Sequence, residues 1–72
     1  MIINQDTLKE IGFELRRTIV FSSEGSFARV YQLGNHIIYS HNDNVYKVQN
    51  KNPNSKNLEV KSIEEIKLIL GL

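Results

Sequence analysis

Residue types alternate with a period of two over residues 13–22, which is the longest such pattern in the chain. One side of this segment would present five residues: Phe13, Leu15, Arg17, Ile19 and Phe21. Alternation that is rich in β-branched and aromatic residues is typical of a half-buried β-strand. Residues 13–22 are therefore predicted to form the first strand.

Turn-forming residues divide the segment that follows into further short strands. The turn signals lie at 22–25, at Gly34-Asn35 and at 41–44, where Gly, Asn and Asp accept a positive φ. The predicted strands are 26–33, 36–41 and 45–49, and residues 58–60 leave room for a short fifth strand. Because the connections between these strands are short, neighbouring strands must be antiparallel and form a meander.

Two helices are predicted, one on each side of the meander in the sequence. The first covers roughly residues 6–11; Asn4 or Asp6 would cap it, and Gly12 would end it with Phe13 packing back against the last turn. The second begins at Ser62, whose spacing to Glu65 is that of a capping box. Its predicted apolar stripe consists of Ile63, Ile66, Leu68, Ile69 and Leu70, and Gly71 would close it.

These elements predict an α+β fold in a single domain over residues 1–72. A four- or five-stranded antiparallel meander would carry the short N-terminal helix and the C-terminal helix, which pack on one face. A chain of 72 residues can bury only a small core, so its stability depends on a well-patterned interior or on self-association.

Composition narrows the classes of function. There is no cysteine, which excludes disulfides and thiolate metal sites and agrees with a cytoplasmic protein. Nine Lys and Arg against eight Asp and Glu give a formal charge of +1, whereas a nucleic-acid binder usually shows a clear basic excess. The first residues have no features of a signal peptide, and no apolar run approaches the length of a membrane span.

Candidate catalytic and metal-binding residues are few. There is no cysteine nucleophile and no serine in a G-x-S-x-G turn. His36 and His41 lie five residues apart on one predicted strand, so they should point to opposite faces and cannot share a metal ion. We therefore expect a protein that is not an enzyme and that has no metal or cofactor.

Residues 24–31, EGSFARVY, resemble the glycine-rich phosphate loop of protein kinases. Val45-Tyr46-Lys47-Val48 is similar to the kinase strand that carries the ATP-binding lysine, and this resemblance implies that Lys47 would hold phosphates and Glu65 would position it. Only Gly25 of the three loop glycines is present, however, and no catalytic-loop motif follows in these 72 residues. An ordinary strand–turn–strand is favoured, and a nucleotide-binding fragment is the third-ranked hypothesis.

Arginine and tyrosine, which are enriched at binding hot spots, are concentrated in the predicted sheet. The candidate partner-binding residues are Arg16, Arg17, Arg29, Tyr31, Tyr39 and Tyr46. If one face of the meander is not covered by helix, these side chains would combine contact area with directed hydrogen bonds. Each tyrosine could instead be a core residue, and the sequence alone leaves both interpretations open.

Both ends of the chain resemble those of a loose class of short phage and mobile-element proteins from AT-rich bacteria. The matching pieces are a helix that ends in Gly-Phe, from Leu8 to Phe13, and the Ser-Ile-Glu-Glu helix from Ser62 to Leu72. The resemblance implies a non-enzymatic protein that binds and inhibits a host enzyme, such as a CRISPR nuclease, by occlusion. The leading hypothesis is thus a module that binds another protein. The alternative is a nucleic-acid-binding accessory protein that uses the exposed sheet face. The sequence is also compatible with a homodimer.

Overall fold

The computed structural model describes residues 2–21, 25–50, 52 and 54–71. Its elements in chain order are α1 Gln5–Ile11, β1 Glu14–Phe21, β2 Ser26–Leu33, β3 His36–His41, β4 Val45–Val48, β5 Leu58–Val60 and α2 Ile63–Leu70. The strands form one antiparallel sheet in the order β1-β2-β3-β4-β5. The predicted α+β meander with five strands is confirmed.

Local capping interactions determine where α1 begins and ends. Asn4, rather than Asp6, is the N-cap: its side chain accepts a hydrogen bond from the Thr7 amide at 2.9 Å, and the Thr7 hydroxyl accepts one from the Asn4 amide at 2.8 Å. At the other end, the Phe13 amide donates to the Leu8 carbonyl at 3.0 Å. This is the predicted Schellman closure, and it directs Phe13 back into the core.

Two turns of the meander are formed by residues that have a positive φ. Gly34 has a φ of 59° in the turn between β2 and β3, whereas Asn42 and Asp43 have values of 52° and 55° between β3 and β4. Asn42 also accepts a hydrogen bond from the Phe27 amide and donates its own amide to the Phe27 carbonyl, which extends the pairing of β2. Most of the predicted turn at 22–25 lies outside the described residues.

An irregularity in β1 changes which side chains share a face. Leu15 pairs with Tyr31 but Arg17 pairs with Val30, so the register shifts between them and Arg16 is the extra residue. The prediction that Leu15 and Arg17 lie on the same side is therefore wrong. A β-bulge reverses the parity of everything that follows it in the strand.

One face of the sheet carries the hydrophobic core. Both helices contribute to it, and its buried residues are Ile3, Leu8, Phe13, Tyr31, Ile38, Tyr46, Val48, Val60, Ile63 and Ile66. The cross-strand register places all the strand residues of this group on the same face. We call this the covered face, and the opposite side, on which none of these buried residues lies, the open face.

The C-terminal helix buries a narrower stripe than its sequence suggests. Ser62 accepts a hydrogen bond from the Glu65 amide at 3.2 Å, as predicted, but the Glu65 carboxylate accepts from the Lys61 amide rather than from Ser62. Leu68 is 84% exposed and Ile69 is also exposed. The prediction that these two belong to the core-facing stripe is wrong. Leu68 lies about 200° around the helix from Ile66, and α2 rests on the sheet mainly through Ile63 and Ile66.

Neither helix of the described part is long and apolar enough to cross a membrane.

Candidate functional site

The open face is the side of the sheet on which none of the buried core residues lies, and it carries two of the candidate partner-binding residues, Arg17 and Tyr39. Antiparallel partners share a face, so the register defines it row by row. Its rows are Glu14, Gln32 and Ile37; then Arg17, Val30, Tyr39, Lys47 and Glu59; then Ile19, Ala28, His41 and Val45; and finally Phe21 and Ser26. An apolar centre is thus bordered by charges on both sides.

The second row crosses the whole sheet and has opposite charges at its two ends. Arg17 stands on β1 at one edge and Glu59 on β5 at the other, and both are exposed. Tyr39 occupies the middle strand and is partly buried between its neighbours. Since Lys47 and Glu59 are direct neighbours on β4 and β5, the face has no continuous basic stripe.

A shallow groove of about 340 Å³ runs over the open face between β2 and β4. Its lining is Ala28, Tyr39, Ser40, His41, Val45 and Lys47. Ala28 forms a low point because its side chain is a single methyl group between larger neighbours. Phe21 borders the same region, with its ring centroid 6.4 Å from that of His41. The surface of the groove is mostly apolar.

The structure separates the six candidate partner-binding residues that the sequence grouped together. Arg17 and Tyr39 lie on the open face in one row, and Arg16 lies at the bulge beside them, 3.6 Å from the Glu14 carboxylate. Tyr31 is 1% exposed and Tyr46 is 5% exposed, and both belong to the core. The interpretation of these two tyrosines as surface residues is wrong, because the helices cover their face.

Arg29 also lies on the covered side, near the end of the sheet that the helices leave partly accessible. One guanidinium nitrogen donates to both carboxylate oxygens of Asp43, at 2.9 and 2.8 Å, and the guanidinium stacks over Phe27 at 4.9 Å from the ring centroid. Ser40 donates to the same carboxylate at 3.4 Å. Arg29 is thus held in a structural cluster at the β3–β4 turn and is not presented with Arg17.

Burial also raises the pKa values of the two core tyrosines, Tyr31 and Tyr46. Desolvation raises the pKa of Tyr31, although the nearby Arg29 cation opposes this effect. Desolvation also raises the pKa of Tyr46, and the negative charge of Asp43 adds to it. Both phenols are therefore neutral at physiological pH, and their role is packing.

The hydroxyl group of Tyr31 suggests a stabilising substitution. This oxygen is fully buried and no described group meets hydrogen-bond geometry with it, although the Arg29 guanidinium is near enough to lower the pKa of the phenol. The Tyr46 hydroxyl, by contrast, donates to the Asp43 carbonyl at 3.4 Å. An unpaired buried hydroxyl costs about 1–3 kcal/mol. We expect Tyr31→Phe to raise the free energy of unfolding by about 1 kcal/mol, and the matched variant Tyr46→Phe to leave it unchanged or to lower it. Urea titration of both variants tests this, and a destabilised Tyr31→Phe would contradict it.

The kinase-like pairing of Lys47 with Glu65 does not form. Lys47 pairs with Tyr39 and Glu59 and therefore lies on the open face, whereas Glu65 lies on α2, which packs on the covered face. The sheet stands between them. Glu65 accepts a hydrogen bond at the start of its helix instead.

The two histidines lie on opposite faces, as their spacing predicts. His36 pairs with Leu33 at the start of β3, and His41 pairs with Ala28 on the open face. In the described part of the chain, no three His, Cys, Asp or Glu residues come together in a group that could hold a metal ion.

Sequence reasoning missed the apolar members of the open face. Val45 and Ile19 are both 38% exposed there, and Ile37 and Val30 are partly exposed. The signal was present as unbroken apolar pairs in the strands, such as Ile37-Ile38, in which both faces are hydrophobic. Such pairs predict a sheet with a second apolar face.

No family model, no curated protein and no solved structure matches this chain.

Proposed function

We propose that this chain is a non-enzymatic module that binds another protein through the open face of its sheet. The observation that supports the proposal best is the composition of that face. The partly exposed Val30 and Ile37 flank Tyr39, the exposed Ile19 and Val45 lie in the next row, and charges lie at the rim. Exposed apolar patches with polar rims mark interaction sites on small proteins. A partly buried tyrosine at the centre is a typical hot-spot residue.

The charge pattern favours a protein over a nucleic acid as the partner. On the open face, Arg17 and Lys47 are accompanied by the acidic residues Glu14 and Glu59. Arg29, another cation of the sheet, is neutralised by Asp43 on the other side. Phosphate contacts supply most of the affinity for nucleic acids and need an excess of cations. An enzyme inhibitor that acts by occlusion, which the likeness to short phage proteins implies, would need a flat, mixed surface of this kind.

We expect Tyr39→Ala to weaken the partner complex at least tenfold, about 1.4 kcal/mol, because it removes the aromatic centre of the surface. The tagged chain, immobilised at low density, is used to capture proteins from a lysate of the organism that carries the gene. Leu68→Ala is the matched control, since Leu68 is an exposed apolar residue on helix α2. The capture is repeated after nuclease treatment and over a salt series.

The outcomes separate the two leading hypotheses. Capture that survives nuclease, is lost with Tyr39→Ala and persists with Leu68→Ala supports a protein-binding module. Capture that disappears with nuclease, or that falls steeply with salt concentration, supports the nucleic-acid-binding alternative. Equal capture by the Tyr39→Ala variant and the wild type would move the site away from the open face.

A further inference from the structure

The two ends of the central row carry opposite charges and are therefore complementary to each other in a reversed copy. Arg17 marks the β1 edge and Glu59 the β5 edge, with Tyr39 midway between them on β3. Consider a second copy rotated by a two-fold axis that runs parallel to the strands, above β3. That operation reverses the strand order, so β1 of one copy lies over β5 of the other. Arg17 then faces Glu59 of the second copy, and the two Tyr39 rings meet on the axis.

The alternative symmetric arrangement is disfavoured by the same charges. A two-fold axis perpendicular to the strands that passes through the same row would place each strand over its own counterpart. Arg17 would then lie over Arg17, and Glu59 over Glu59. Like charges placed opposite each other are destabilising, so of these two arrangements centred on the row of Tyr39 the charges favour the axis that is parallel to the strands.

The next row supports the same arrangement through shape. Ala28 on β2 and Val45 on β4 lie in one row and are the same distance from β3. The two-fold axis therefore places Val45 of each copy over Ala28 of the other. Ala28 is the low point of the groove, and Val45 is an exposed apolar side chain of suitable size. Each copy thus supplies a knob and a hole.

We infer that the open face is covered by a second copy of this chain, in a face-to-face homodimer whose axis runs along β3. The dimer regulates the surface, because another protein can reach it only after the copies separate. The inference rests on the proposed function in one respect, namely that the open face is the interaction surface.

The size of the face sets the expected strength of the dimer. Five strands spaced by about 4.8 Å, with rows about 7 Å apart, give a flat area of roughly 500 Å² per copy. A standard stable interface buries about 800 Å² per partner. Aligned sheets also cross at about 30°, which moves the edge residues by a few ångströms and leaves Arg17 and Glu59 within reach. The dimer should therefore be reversible, with dissociation at micromolar concentrations.

The test is a charge exchange followed by sedimentation equilibrium on the purified chain, from about 1 to 500 µM, a range chosen to span weak association. Arg17→Glu and Glu59→Arg should each weaken the dimer about tenfold, because each places like charges opposite one another. The double variant should restore it, because the pair is re-formed with its signs exchanged. Lys9→Glu, a charge reversal on helix α1, is the matched control and should leave the dimer unchanged. Thermal melts establish that each variant is folded.

Three outcomes would overturn the inference. The first is a chain that is monomeric over the whole concentration range. The second is a dimer whose dissociation constant is unchanged by either single charge reversal. The third is a double variant that dimerises as weakly as the single variants. Failure here is distinguishable from failure of the proposed function. If the chain is monomeric but still captures a protein through Tyr39, the proposed function stands and the dimer is excluded. If the double variant restores the dimer but no protein is captured, the dimer stands and the proposed function is excluded.

Discussion

Truncation of Ile66 to alanine is expected to remove a large share of the stability of the protein. Ile66 is 0% exposed and lies in the core cluster between α2 and the covered face. Removing a buried isoleucine side chain costs about 2–5 kcal/mol, because the apolar contacts are lost and a cavity remains. The whole stability of such a small domain is about 5 kcal/mol. Circular dichroism should show a melting temperature at least about 10 °C lower than that of the wild type.

Leu68 provides a control in the same helix. It lies two residues from Ile66 and is 84% exposed, so Leu68→Ala changes the composition of the helix in a similar way without opening a cavity. Its melting temperature should stay within about 2 °C of the wild type. If Ile66→Ala also melts within a few degrees of the wild type, α2 does not supply the core contacts that we assign to it.

Gly12→Ala is expected to cost about 2–3 kcal/mol, the largest effect at any glycine of the chain. Gly12 has a φ of 120°, which side chains rarely adopt, and a Cβ built there would lie 3.2 Å from the Cδ1 of Leu33. Most of the cost is backbone strain, and the rest comes from the movement of Leu33, which packs against the core. Because this residue joins α1 to β1, the strain also disturbs the Schellman closure that places Phe13.

Gly71→Ala is the matched comparison, because Gly71 follows the last residue of α2 just as Gly12 follows the last residue of α1. Its φ is 73°, and no atom lies within 4 Å of the position of its Cβ. Strain without a close contact, at the end of a helix, should cost about 1 kcal/mol. Urea titrations of the two variants give the comparison. Equal losses, or a larger loss at Gly71, would show that the joint between α1 and β1 is not the more constrained position.

Helices and strands whose ends are determined by residues adjacent in the sequence were predictable from the sequence. The strand at Ser26–Leu33, the turn at Gly34 and the strand at His36–His41 agree with their predicted bounds. Gly12 and Ser62 end and begin their helices as expected. Turn conformations and helix caps depend on the φ preferences and hydrogen bonds of a few adjacent residues, and those preferences are present in the sequence itself.

The candidate site was predictable only in part. Arg17 and Tyr39 do lie on the accessible face, but Tyr31, Tyr46 and Arg29 do not. Alternation shows that residues 31 and 39 lie on strands, but it does not show which face the helices cover. That choice is made when Ile63 and Ile66 of α2 pack against the sheet, and these contacts are distant in sequence.

Taken alone, the sequence of this protein determined its fold class, its strand order and most of its turns, because these follow from local preferences and from short connections between neighbours. The tertiary structure decided which side of each strand faces solvent. In β1 the bulge at Arg16 reverses the parity after Leu15, and the bulge exists only through pairing with β2. In α2 the packing of Ile63 and Ile66 on the sheet leaves Ile69 exposed, although it lies only about 60° from Ile66 around the helix. A period in the sequence gives the relative orientation of side chains, whereas burial depends on which other element is packed against them.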